Sequence, residues 1–267
     1  MDQYRYGRHR RTRRKRKNSA FHWILAGTAS AVCLLAVFGI SNFWGLISAL
    51  AQEQEGGFPT VRADVPLAEQ GSSSGEAPWY LRLVNPETPL AEDFTVELTE
   101  VAGGQFDSRA TDALSRMFDS MEDQGLSPLI CSSFRTWEDQ KTLHENEIEL
   151  WSSQGLSPEE AEEEASRWVV PAGTSEHQTG LAADIVAAGY QVLEEEQENT
   201  PEQQWLMEHC WEYGFILRYP KDKTDVTGVG YEPWHYRYVG VEAAQEMKES
   251  GQCLEEYWAA RFTKNAP

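Results

Sequence analysis

His177 and Asp184 stand seven residues apart in Gly173-Thr174-Ser175-Glu176-His177-Gln178-Thr179-Gly180-Leu181-Ala182-Ala183-Asp184, a stretch too glycine-rich to favour a helix. A hydrolytic zinc site takes three protein ligands from His and Asp/Glu and keeps a fourth position for water. His177 and Asp184 would be two of them, and His235 in Tyr231-Glu232-Pro233-Trp234-His235 would be the third. Hydrolysis also needs an acid/base that takes a proton from the attacking water and passes it to the leaving amine. Glu232, three residues before His235, is the candidate. The scissile carbonyl gains negative charge in the transition state, and Arg135 is the candidate cation, because a guanidinium stays protonated and presents rigidly spaced donors.

Taken singly, each of these residues has an ordinary reading. His177 fits a simple turn, Glu232 a solvated strand edge, and Arg135 an ion pair. His9, His22, His144 and His209 are read as structural or surface histidines. The co-occurrence of ligand types, a nearby acid and an exported domain is what points to metal-dependent hydrolysis.

The elements that must position these residues read as a compact α+β domain, with helices interleaved with short strands and no regular βαβ period. Ala110, Ala113, Leu114, Met117, Phe118 and Met121 recur at helical spacing and predict a helix over 108–124, stopped by Gly125. Pro128-Leu129-Ile130-Cys131 predicts a buried strand leading to Arg135. Thr136 with Asp139, Ser157 with Pro158 and Glu160, and Thr200 with Pro201 each open a helix; Gly214 closes the last. Phe215–Arg218 and Trp234–Val239 read as strands, and a final helical part runs from Glu242 toward Ala260.

The 267 residues carry a net charge of −20, but residues 1–17 hold nine Arg and Lys against Asp2 alone. The tail is therefore +8 and the remainder −28. From Phe21 to Leu50 there is no Asp, Glu, Lys or Arg, and about 20 apolar residues suffice to span a bilayer. The segment is read as an uncleaved anchor; Ala49-Leu50-Ala51 keeps a removed signal peptide as the alternative. Either way the basic flank stays cytoplasmic and the rest lies outside. Topology thus explains the basic tail, and no nucleic-acid partner is expected. The expected organisation is a cytoplasmic tail (1–20), a transmembrane anchor (21–45), a disordered linker (46–78) and a catalytic domain (79–267). Cys131, Cys210 and Cys253 match no zinc-ribbon or CxxC pattern. Cys210 and Cys253 could pair, or all three could be buried thiols.

Three separated motifs carry a resemblance. They are Ser133-Phe134-Arg135, the Ser175–Asp184 stretch, and Tyr213-Gly214-Phe215-Ile216-Leu217-Arg218-Tyr219-Pro220 through Tyr231–Gly240. Over about residues 79–257, in this order, they closely resemble the VanY-like zinc D-alanyl-D-alanine carboxypeptidases. The resemblance implies a small antiparallel sheet flanked by helices (the zinc D,D-peptidase or hedgehog-like fold), with one Zn²⁺ on the sheet's exposed face. It implies His177, Asp184 and His235 as ligands, Glu232 as catalytic acid/base and Arg135 as oxyanion stabiliser. Gln140 and Ser175 occupy the places of peptide-contacting residues, and Trp234 that of a pocket wall. The implied substrates are peptidoglycan stem peptides or their precursors. An L,D-carboxypeptidase acting on tetrapeptide stems and a non-catalytic wall-peptide-binding protein are the competing readings.

Overall fold

The computed structural model describes residues 77–262. The predicted tail, membrane segment and nearly all of the linker lie outside these residues. Among the described residues no helix is long and apolar enough to cross a membrane.

The helix-opening signals in the sequence are used as read. The Thr136 side chain accepts from the Asp139 N–H while the Asp139 carboxylate accepts from Thr136, a reciprocal cap opening α2 (Trp137–Ser153). Ser157 and Glu160 repeat the arrangement at α3 (Pro158–Ser166), where Pro158 occupies a first-turn position that has no need of an N–H. Thr200 caps α4 (Pro201–His209), which tightens into a 3₁₀ turn and ends at Gly214. Gly214 sits at φ 84°, where a side chain would strike Tyr238 and the Gly240 backbone.

α1 (Thr111–Asp123) starts three residues later than the apolar period suggests, because Ser108 serves the preceding hairpin: its hydroxyl donates to the Glu97 carbonyl. That hairpin, β1 (Leu98–Val101) and β2 (Gly104–Asp107), turns at Ala102 and Gly103, both at positive φ. The chain then builds β3 (Pro128–Ser132), β4 (Ala182–Ala187), β5 (Phe215–Leu217), the single turn α5 (Thr224–Thr227) and β6 (His235–Tyr238). The final helical part is two helices, α6 (Val241–Ser250) and α7 (Leu254–Phe262), separated at Gly251. Cys131, Cys210 and Cys253 are free thiols.

β3, β4, β6 and β5 form one antiparallel sheet in that order. Alternation along the strands divides its two faces. Ala183, Ile185, Phe215 and Tyr236 pack against Ala113, Leu114, Met117, Phe118 and Met121 of α1, making the main core. The other face carries Asp184 opposite His235, and Ala182 opposite Arg237. A bulge between Ile130 and Ser132 shifts the β3 register so that Ser132 lies beside Asp184. The sheet thus presents a dry apolar face to α1 and a charged face to the site.

Candidate metal centre

Two of the three predicted ligands are cross-strand neighbours, Asp184 on β4 and His235 on β6. His177 arrives differently, on a one-turn 3₁₀ segment (Glu176–Thr179) that runs into β4. Gly180 ends this turn in the left-handed region at φ 68°, and a side chain there would press on the Asp107 backbone. The reversal lets His177 and Asp184 converge instead of following a helix face.

Asp184 Oδ1 lies 3.3 Å from His177 Nε2 and 3.0 Å from His235 Nδ1. All three ligand atoms fall within 4.8 Å of one another, and all three residues are buried. The His177 Nδ1 atom is 2.7 Å from the Ser133 carbonyl. A carbonyl only accepts, so Nδ1 carries the proton and Nε2 turns its lone pair inward. Two imidazoles and a carboxylate converging in this way form a donor set suited to Zn²⁺.

Glu232 and Arg135 flank the three ligands. The Glu232 carboxylate comes within 3.6 Å of His235 Nδ1. Burial, with the Asp184 charge adding to it, pushes the Glu232 pKa up to about 8 against His235 and Arg135. Arg135 donates from Nε to Ser132 Oγ (2.9 Å), from Nη1 to Gln140 Oε1 (2.9 Å) and from Nη2 to Asp184 Oδ2 (3.0 Å). Burial and the Arg135 charge take His177 down to about 4. Burial alone would raise Asp184, but the two histidines hold it well below the usual carboxylate range.

Ser175, Trp234 and Gln140 line the same cleft, together with Trp168, Val170, Tyr219 and Val229. Gln140 is buried with both ends of its amide engaged: Oε1 accepts from Arg135 and Nε2 donates to the Val170 carbonyl at 2.6 Å. Its immediate contact is therefore the arginine. Trp234 packs on Val186 and Leu193. The remaining described histidines lie elsewhere: His144 bridges the Val169 carbonyl and Glu162, and His209 pairs with Glu212.

Sequence reasoning passed over three buried residues beneath the ligands. Glu176 Oε1 accepts from Arg218 Nε at 2.8 Å and from Arg237 Nη1 at 2.7 Å. Burial would raise the Glu176 pKa, but the two guanidinium groups hold it well below the carboxylate range. Arg218 is also paired with both carboxylate oxygens of Glu255, on α7, and Arg237 donates to the carbonyls of Tyr80 and Arg82. For the two arginines a signal was available: Arg218 directly follows Phe215-Ile216-Leu217 and Arg237 lies between Tyr236 and Tyr238, charged residues among apolar and aromatic strand neighbours.

The VanY family model, described as D-alanyl-D-alanine carboxypeptidase, matches residues 104–241, a span holding every predicted site residue. The chain belongs to the VanY family. A D-alanyl-D-alanine carboxypeptidase of Enterococcus faecalis (strain ATCC 700802 / V583) is 38% identical over 226 residues, covering 80% of this chain and 82% of that protein. A crystal structure of a variant of the vancomycin resistance D,D-pentapeptidase VanY from a VanB-type cassette, in complex with Zn(II), is 41% identical with a TM-score of 0.61. It covers 67% of this chain and 99% of the other. The LD-carboxypeptidase LdcB is 34% identical with a TM-score of 0.57, over 66% of this chain and 84% of that one. This VanY-family chain thus shares its α+β scaffold with zinc peptidases.

Proposed function

We propose that this chain is a zinc-dependent D,D-carboxypeptidase that releases the terminal D-alanine from peptidoglycan stem peptides or their precursors. The observation that carries this reading is the convergence of His177 Nε2, Asp184 Oδ1 and His235 Nδ1, with a buried acid on one side and a guanidinium on the other. His177, Asp184 and His235 would hold the ion. When bound, zinc polarises the scissile carbonyl and lowers the pKa of water to about 7.

The chain's own groups do the rest. Glu232, buried and within 3.6 Å of His235, takes a proton from the attacking water and returns it to the leaving amine, so one residue serves as base and then acid. Arg135 spends three donors on Ser132, Gln140 and Asp184. A guanidinium has five, and the two others are assigned to the developing oxyanion. Gln140 holds that guanidinium in place, and Ser175 and Trp234 shape the wall against which the peptide lies.

The apolar run after the basic tail supports a single-pass anchor, with the domain outside the cytoplasm where stem peptides are found. Glu232→Gln tests the mechanism. The variant is expected to keep its zinc and lose about 10²–10⁴-fold in turnover, read by metal analysis and by mass spectrometry of released D-alanine. Unchanged hydrolysis would remove Glu232 from the reaction.

A further inference from the structure

Among the described residues, five buried side-chain nitrogen or oxygen atoms lack a hydrogen-bond partner, and three of them are tryptophan indole nitrogens. The other two are Glu176 Oε2 and His235 Nε2. They face each other across 3.6 Å, a gap that a small rotation of either side chain closes to a hydrogen bond. A buried polar atom without a partner carries a cost, and each of these two is the natural partner of the other.

We infer that Glu176 is a positioning residue that fixes His235 as the Nε2–H tautomer and so turns its Nδ1 lone pair toward the metal. The inference rests on the zinc-site reading above, because only a ligand role for His235 Nδ1 gives the tautomer a consequence. The carboxylate is itself immobilised. Its Oε1 is shared by Arg218 and Arg237, which leaves Oε2 aimed at the imidazole. Both guanidinium groups are anchored in turn outside the ligand motifs, Arg218 by Glu255 and Arg237 by the Tyr80 and Arg82 carbonyls. Segments at the two ends of the domain therefore converge on the orientation of one ligand. Carboxylate–histidine–metal relays of this kind raise ligand basicity, and losing the outer partner typically weakens metal binding about 10–100-fold.

Glu176→Gln is the informative change. Its amide oxygen can still accept from the arginines, which leaves the NH₂ facing His235 and favours the opposite tautomer. In the full chain, competition with a chromophoric zinc chelator should then show affinity about 10–100-fold weaker than wild type. Thermal unfolding of the metal-free variant reports any purely structural loss. A lower melting temperature with unchanged zinc affinity would make Glu176 structural and overturn the inference. Glu176→Asp keeps the charge for both arginines and withdraws the carboxylate from His235, so it should weaken zinc as well. Independently of folding in either variant, ¹⁵N NMR of the zinc-loaded wild type should show His235 protonated at Nε2, with the downfield proton of a bond to carboxylate. A rapidly exchanging Nε2 proton without that shift would contradict it. Failure of the wild type to bind zinc would overturn the function proposed above instead.

Discussion

The two histidines of the site are held in opposite ways. His177, carried on the Glu176–Thr179 turn, donates from Nδ1 to a main-chain carbonyl, that of Ser133. His235 faces a carboxylate whose position depends on two buried arginines, and through them on a C-terminal helix and on the Tyr80 and Arg82 carbonyls. One ligand is set by a main-chain acceptor that no side-chain substitution can delete. The other is set by a charge relay assembled from distant parts of the chain. Losing one member of such a relay leaves buried charges uncompensated, so mutation should damage the His235 side of the site more than the His177 side.

The largest effects ignore the distinction. His177→Ala or His235→Ala should each lose the zinc and, with several kcal/mol of transition-state stabilisation gone, about 10³-fold or more in turnover. Metal content and D-alanine release measure both. Retained zinc in either variant would break the equivalence of the two ligands. Next comes the opposite face of the sheet. Leu114 is fully buried against the core, so Leu114→Ala should cost about 2–5 kcal/mol of stability in denaturant unfolding. Zinc affinity in the folded variant should be unchanged, because the charged face does not touch Leu114. The comparison itself is sharpened by Glu176→Gln against Ser133→Ala. The first should weaken zinc as described. The second removes the hydroxyl that accepts from the Gln105 N–H and leaves the carbonyl, so it should cost only about 1 kcal/mol of stability and leave zinc affinity at the wild-type value. Equal losses in the two variants would erase the asymmetry.

This difference also explains what the sequence made legible. The ligands, Glu232 and Arg135 stand in compact motifs whose residue types declare their chemistry. The caps at Thr136, Ser157 and Thr200 name their helices because a side chain and a backbone N–H meet within one turn. The β1–β2 hairpin was hidden. Its positive-φ turn uses Ala102 before Gly103, where Asn or Gly would have signalled the reversal. Glu176 was visible beside His177, but its role depends on contacts 42 and 61 residues away. Gln140, expected at the peptide, is engaged with Arg135 and Val170, a distinction that spacing along a helix does not carry.

Three converging ligands, a buried acid and a guanidinium make this chain a zinc D,D-carboxypeptidase. This activity is tested most directly by mass spectrometry of products from defined pentapeptide and tetrapeptide stems, with zinc-loaded and chelator-treated protein. The loaded protein should convert pentapeptide to tetrapeptide plus D-alanine, and chelation should abolish the conversion. Release from the tetrapeptide alone, or hydrolysis that persists without the metal, would contradict it.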